Sequence, residues 1–237
     1  MANIINVKVT NDDGSARISD VIAGLEWVLE NKVNYNIRVV NISFNSTVAE
    51  SYHTSPLDAA VEILWFNNIV VVVSAGNQAT GTLYPPANDP FVITVGATDD
   101  KGTTSLNDDT IASFSAFGTT ADGITKPDLV APGKNIIARL VNTNMGMAKS
   151  HPSNVINQMY FKMSGTSVSA PMVCGAVTLL LQSEPGLTPD QVKYRLITTA
   201  NKTWSGYTAT QAGAGYLDIY AATKTKTSAS ANTYTIP

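Results

Sequence analysis

Short apolar runs alternate along this chain with longer stretches in which apolar residues recur every three or four positions. Runs of about four to eight residues rich in Val and Ile are typical of strands, and the three-to-four spacing is typical of amphipathic helices. The pattern predicts strands at residues 4–9, 38–44, 69–76 and 92–98, with further strand sequence at 129–132 or 135–140. This alternation indicates βαβ units around a parallel sheet.

Helix signals fill the intervals between these runs. An apolar stripe predicts a first helix over residues 18–31, and Ser55 followed by Pro56 marks the start of a second. The sequence TPDQ at 188–191 is a capping box with proline at the first helical position, so it predicts a last helix that runs to about residue 199.

Composition narrows the class of protein. With 237 residues, 44% of them apolar and 14% charged, the chain fits one globular domain. The net charge of −3 offers no basic surface, so we expect no nucleic-acid partner. The apolar run at 69–73 is too short to span a bilayer, and we expect no membrane partner. The opening MANIINVKV has none of the features of an export signal.

The one cysteine, Cys174, lies in an apolar helical run, which indicates an inert packed thiol.

The stretch GTSVSAP at residues 165–171 comes directly before this apolar run. Gly165 permits a tight turn, and Ser167 then stands at a helix N-terminus, where free N–H groups and the helix dipole favour negative charge. Taken alone, this serine fits a helix cap better than a nucleophile.

Further motifs accompany that serine. GTSVSAP, VVVSAGNQ at 71–78, KPDLVAPG at 126–133 and GAGYLDIYAA at 213–222 occur in the order found in subtilisin-like serine proteases. The chain resembles that family over nearly its whole length. The resemblance implies an α/β fold, a three-layer sandwich with a mainly parallel sheet flanked by helices. It also implies that Ser167 is the nucleophile, and that Asn77 and the Ser167 N–H are the donors of an oxyanion hole.

The resemblance assigns a substrate pocket to two short segments. Ser43, Phe44 and Asn45 form one edge and Ser74, Ala75 and Gly76 the other, around the residue before the scissile bond. Asn45 stands where the family usually has glycine, so the shape of this pocket is expected to differ from the family pattern.

Two family motifs are absent. The family triad runs in the order Asp, His, Ser, and this chain contains neither the aspartate motif nor the HGTH-type histidine motif. The family strand with the aspartate lies between those matching residues 4–9 and 38–44. These two strands are therefore expected to pair directly, to pair with another molecule or to leave exposed edges, so a homo-oligomer is a candidate assembly.

We accordingly expect a truncated catalytic domain over residues 1–222, without the family's first strands, and a loose extension over 223–237. The family's strongest calcium site uses residues from the absent portion, so neither a metal nor another cofactor is expected. Family members are usually secreted, but the chain itself indicates no location.

A replacement base is the open question. His151 lies in a loop before the serine and can approach it, although a solvated histidine is the alternative interpretation. His53 is expected to be an exposed loop residue, and Lys162 is a weaker candidate base. The carboxylates of Asp122, Asp128 and Asp218 cannot be ranked from sequence.

Three functions follow from these observations. The first is a serine hydrolase with esterase-like activity on small activated esters and weak or no proteolysis. The second is a subtilisin-like endopeptidase whose missing segment is supplied separately. The third is a catalytically inactive module that holds peptides.

Overall fold

The computed structural model describes residues 2–79 and 81–233 of the chain. The helices are α1 (Ile18–Tyr35), α2 (Pro56–Phe66), α3 (Gly146–Ser150), α4 (Thr166–Ser183), α5 (Pro189–Thr199), α6 (Ala209–Ala212) and α7 (Ile219–Lys224). The strands are β1 (Val39–Ile42), β2 (Val70–Ser74), β3 (Ile93–Asp99), β4 (Thr110–Ile111), β5 (Gly118–Thr119), β6 (Thr125–Lys126), β7 (Leu129–Pro132), β8 (Ile136–Arg139), β9 (Val155–Ile156) and β10 (Tyr160–Met163).

The main sheet is mostly parallel, as predicted. Its order is β1-β2-β3-β4, and β7 also pairs with β3. The β1-β2, β2-β3 and β3-β7 pairs are parallel, and only the short β4 is antiparallel to its neighbour. Every residue of β2 and β3 is buried, which explains their continuous apolar sequences. Smaller antiparallel sheets join β8-β10-β9 and β5-β6.

The apolar helix α4 lies across the sheet and contacts β1, β2, β3 and β7. Its length and composition would also suit a membrane span, but Val173, Val177 and Leu180 are buried in the protein core. Its Cys174 is half-buried, and the Sγ atom contacts Oδ1 of Asn41 at 3.6 Å. Burial raises the pKa of this thiol to about 12.

The predicted strand at residues 4–9 is wrong, because this segment pairs with no strand in the described part of the chain. Val7 and Val9 instead pack against the core, and Cγ1 of Val9 occupies the space that a Cβ on Gly24 of α1 would need. Ile4 is 95% exposed. An extended segment becomes a strand only where another backbone satisfies its N–H and C=O groups.

The same arrangement leaves one edge of β1 open. In the described part of the chain β1 pairs with β2 alone. The Arg38 carbonyl accepts a hydrogen bond from the Val70 N–H at 2.9 Å. Because successive residues of a parallel strand bond to opposite sides, the backbone groups of Val39 and Asn41 face away from β2. Of the three arrangements expected for this region, the isolated chain shows the exposed edge.

Helix α1 continues past the predicted end at residue 31. It runs to Tyr35, and Asn36, with φ of 51°, ends it by donating its N–H to the Val33 carbonyl. Asparagine tolerates this left-handed conformation better than most residues, which makes it a common helix stop. The predicted starts of α2 and α5 are correct, including the capping box of α5.

The chain after α7 is not a loose extension over its described part. The Asn232 side chain donates to Oδ1 of Asp190 at 2.7 Å, and Nη2 of Arg195 donates to the Thr227 carbonyl at 3.2 Å. Asp190 and Arg195 both belong to α5, so the chain after α7 packs against that helix. The last four residues of the expected extension lie outside the described residues.

Candidate active site

A cleft of about 450 Å³ opens where the parallel strands β1 and β2 end. Residues 43–47 line one wall, residues 74 and 76–78 the other, and Tyr84 and Ser167 complete the lining. The carboxyl ends of parallel strands are the usual place for ligands in α/β sheets. The cleft brings together most of the predicted site residues, namely Ser43, Phe44, Asn45, Ser74, Gly76, Asn77 and Ser167.

Ala75 is the predicted pocket residue that does not line this cleft. Its side chain is buried in a small cluster with Leu83 and Ala116. Successive residues of an extended segment point to opposite sides, so Ser74 and Gly76 reach the cleft and Ala75 between them faces away.

Ser167 is the second residue of α4 and is half-buried. Its N–H belongs to the first turn, which has no acceptors within the helix, and makes no hydrogen bond with a described residue. The Ser167 carbonyl accepts a hydrogen bond from Oγ of Ser43 at 3.1 Å, which fastens the helix start to the end of β1. The hydroxyl group is likewise without a partner among the described residues, so it remains available to a ligand in the cleft.

Of the two polar atoms in the Asn77 side chain, only the oxygen has hydrogen-bond partners among the described residues. Its Oδ1 accepts hydrogen bonds from the N–H of Thr166 at 2.9 Å and from the Thr166 hydroxyl at 3.1 Å. The amide nitrogen Nδ2 makes no hydrogen bond with a described residue, and a Cβ on Gly165 would lie 3.4 Å from it. Since both acceptor bonds orient the carboxamide, Nδ2 and the Ser167 N–H form a pair of donors at the start of α4.

The neighbouring serines have structural partners. Ser169 is fully buried, and its hydroxyl contacts the carbonyls of Ala131 at 3.0 Å and Pro132 at 3.1 Å. Ser164 accepts the N–H of Asn135 at 2.9 Å. The hydroxyl groups of these two serines therefore link α4, and the residue just before it, to β7 and the loop that follows β7. Of the three serines, only Ser167 lines the cleft.

No base contacts Ser167 among the residues that the structure describes. His151 is exposed at the end of α3 and is not among the residues that line the cleft, so its role as a base stays a prediction. His53 is exposed, as expected, and its ring lies 4.0 Å from that of Tyr52. Lys162 lies within β10, paired with Ile137 of β8.

The three carboxylates left open by the sequence have other partners. Asp122 accepts from the Ser51 hydroxyl at 2.5 Å, and Asp218 caps α7. Asp128 accepts from Nζ of Lys126 at 2.8 Å and lies 3.2 Å from Nζ of Lys193. Desolvation opposes ionisation of Asp128, but the two lysines outweigh it and lower the pKa of the carboxyl group.

Within residues 2–79 and 81–233, no three His, Cys, Asp or Glu side chains are grouped so that they could hold a metal ion.

The sequence did not identify Thr166 as a residue of the candidate site. Thr166 is fully buried and also accepts the N–H of Gly76 at 3.1 Å, so it links the end of β2 to Asn77. Its place before the serine was visible in the sequence, but a threonine at a helix start is usually only a cap.

Comparison with known proteins agrees with this geometry. A family model described as the subtilase family matches residues 1–219. The chain belongs to the subtilase family. The resemblance inferred from the motifs is thereby confirmed, and so is the α/β fold with a mainly parallel sheet and flanking helices.

Curated relatives of this subtilase include two named proteases from Bacillus. Serine protease AprX of Bacillus subtilis strain 168 is 41% identical over 221 residues, which are 90% of this chain and 50% of AprX. Subtilisin DY of Bacillus licheniformis is 30% identical over 220 residues, covering 91% of this chain and 66% of that protein. The subtilase chain thus spans half to two thirds of the length of these relatives.

Solved structures show the same fold. Fervidolysin from Fervidobacterium pennivorans, described as a keratinolytic enzyme related to subtilisin, superposes with a TM-score of 0.71 at 29% identity, over 90% of this chain and 30% of that one. The prenylagaramide maturation protease PagA gives a TM-score of 0.65 at 26% identity, over 88% of this chain and 67% of that one.

Proposed function

We propose that this subtilase is a serine hydrolase that transfers acyl groups through Ser167 and acts on small activated esters. One observation carries the proposal. The Ser167 hydroxyl stands in a cleft beside two N–H donors, its own and Nδ2 of Asn77, that have no acceptor among the described residues. Donors held in this way stabilise the negative charge that develops on a carbonyl oxygen during acyl transfer.

The reaction proceeds in two halves. Oγ of Ser167 forms a bond to the ester carbonyl carbon and loses its proton to solvent or to a base, while the carbonyl oxygen becomes an oxyanion and accepts from the two donors. The bond to the leaving alcohol then breaks, and that group departs with the electron pair. Water attacks the acyl-serine in the same way and releases the acid and the free hydroxyl.

Activated esters suit this site better than peptide bonds. A phenolate leaving group departs without a proton, whereas an amine requires protonation by a general acid. No acid or base contacts Ser167 among the described residues, and an oxyanion hole with substrate binding alone retains about 10³–10⁴-fold catalysis over water. We therefore propose that proteolysis by the chain alone is weak or absent.

The test uses p-nitrophenyl acetate and the variants Ser167→Ala and Asn77→Ala. We expect Ser167→Ala to slow hydrolysis strongly and to form no acyl-enzyme, leaving only the residual catalysis of the donor pair. Asn77→Ala should reduce kcat by roughly 10²-fold, the cost of losing one oxyanion donor. Ser164→Ala is the matched control, since that serine lies outside the cleft. Equal rates for the parent and Ser167→Ala would refute the proposal.

The same assay tests His151. If His151 supplies the base, His151→Gln slows hydrolysis of p-nitrophenyl acetate by lowering kcat with little change in KM. An unchanged kcat removes His151 from the site.

A second candidate function is an endopeptidase completed by a separate segment. The observation that favours it is the open edge of β1, next to the cleft, which can accept another strand. The same edge supports the proposed self-association. A segment carrying the family's aspartate and histidine motifs, added as a second chain, should restore casein cleavage. No gain in cleavage would count against this candidate, and failure of a fluorophosphonate to label the folded chain would favour the inactive peptide-binding alternative.

A further inference from the structure

The two walls of the cleft are joined by a hydrogen bond. Nδ2 of Asn45 donates to the carbonyl of Ser74 at 3.0 Å, and we refer to this contact as the Asn45 bridge. Ile42 and Val73 are Cα partners at the ends of β1 and β2, so the bridge forms just beyond the last paired residues. Asn45 is half-buried and Ser74 is 1% exposed.

A second carboxamide lies on the opposite wall. A Cβ on Gly76 would lie 2.7 Å from Oε1 and 3.0 Å from Nε2 of Gln78, so the Gln78 side chain covers Gly76 where it borders the cleft. Gly76 itself has φ of 114°, a conformation that favours glycine. Polar groups from both walls therefore restrict the space next to Ser167.

A contact between the two walls provides a physical basis for discrimination by size. A substrate side chain too large for the space beside the bridge has to separate Asn45 from Ser74. This leaves the Ser74 carbonyl and the Asn45 amide without their partners in a site that the substrate itself closes to water. Breaking a buried hydrogen bond in this way opposes binding of the larger group.

We propose that Asn45 is the specificity-determining residue of this site and restricts the acyl group to a small one, such as that of alanine or glycine. The inference rests on the proposed acyl transfer through Ser167 and specifies its substrate class. Asn45 acts by limiting space, so its removal alters the choice between substrates more than it alters the rate on the small one.

The experiment compares the p-nitrophenyl esters of N-acetylalanine and N-acetylphenylalanine. The variants are Asn45→Gly and Asn45→Ala, and the control is Asn36→Gly, the same replacement at the end of α1 and outside the cleft, where φ of 51° accommodates glycine. We expect the parent and Asn36→Gly to prefer the alanine ester. Both Asn45 variants should raise the ratio of kcat/KM for phenylalanine over alanine roughly tenfold, the size of one buried hydrogen bond.

An unchanged ratio in both Asn45 variants, with thermal unfolding like that of the parent, overturns the inference. If the parent hydrolyses neither ester faster than Ser167→Ala, the proposed acyl transfer fails, and the bridge is then tested by calorimetry with N-acetylalanine amide and N-acetylphenylalanine amide. A relative gain for the phenylalanine amide in Asn45→Gly supports the size restriction. Equal relative affinities in the parent and the variant overturn it.

Discussion

Thr166 links Asn77 and Gly76 within the candidate site through its hydrogen bonds. Its backbone N–H and its hydroxyl both donate to Oδ1 of Asn77, and the hydroxyl also accepts the N–H of Gly76. The carboxamide of Asn77 is thereby oriented with Nδ2 toward the cleft. Thr166 is buried and does not line the cleft, so we regard it as a positioning residue whose loss acts through Asn77.

Thr166→Val should lower kcat for p-nitrophenyl acetate roughly tenfold with little change in KM, because the substrate still binds but Asn77, the proposed oxyanion donor, is less well oriented. It should also lower the free energy of unfolding by about 1–2 kcal/mol, because the buried N–H of Gly76 loses its acceptor. Steady-state kinetics and urea unfolding measure the two effects. Thr166→Ser keeps the hydroxyl and should restore both values; an unchanged kcat in the valine variant would show that Asn77 needs no such support.

Elements of regular structure were predictable where the local signal and the packing agree. The buried strand β2 and the helix starts at Pro56 and Pro189 follow from apolar runs and capping residues, and the structure has them where predicted. Residues 4–9 carry the same apolar signal as β2, but whether they pair depends on a neighbour that periodicity cannot reveal. The docked tail was missed for a related reason, since its hydrogen bonds to α5 join residues far apart in sequence.

The site was predictable to the extent that it is encoded in short motifs. Ser167 and Asn77 came from resemblance, and the cleft indeed contains both. The outward turn of Ala75 and the Asn45 bridge depend on where side chains point after a strand has ended, and the motif does not contain that information. Whether any base reaches Ser167 likewise depends on the conformation of a long loop.

At the scale of the whole molecule, a buried acidic cluster sets the response to pH. Asp58 is fully buried, and neither carboxylate oxygen has a hydrogen-bond partner among the described residues. Burial, with a smaller contribution from Asp89, raises the pKa of Asp58 to about 8, and the same two causes raise that of Glu62 to about 7. Burial also raises the pKa of Asp89. The folded protein therefore holds protons that the unfolded chain releases.

The sign of the effect follows from this difference. Between the ordinary pKa of about 4 and the raised values, the folded state binds more protons than the unfolded state, so the stability from this cluster is full below about pH 4 and is lost as pH rises through about 8. Asp58→Asn removes the contribution of Asp58 to that loss of stability. We expect the free energy of unfolding of the variant, relative to that of the parent, to rise by on the order of 4 kcal/mol between pH 5 and pH 8.5.

Urea unfolding at the two pH values, followed by tryptophan fluorescence, measures this difference. Asp20→Asn, on the exposed side of α1, is the matched control, because it is the same replacement and keeps the buried cluster intact. A stability difference between Asp58→Asn and the parent that stays constant from pH 5 to pH 8.5 would contradict the assignment.

Cys174 gives the molecule one more property at this scale. Its thiol is the only one in the chain, is half-buried against Asn41, and has a pKa of about 12, so very little thiolate is present at neutral pH. A cysteine introduced at an exposed position such as Thr47, on the cleft wall next to Asn45, would therefore react with a maleimide dye far faster than Cys174. A Thr47→Cys variant should thus accept a single fluorophore at the cleft wall without replacement of Cys174.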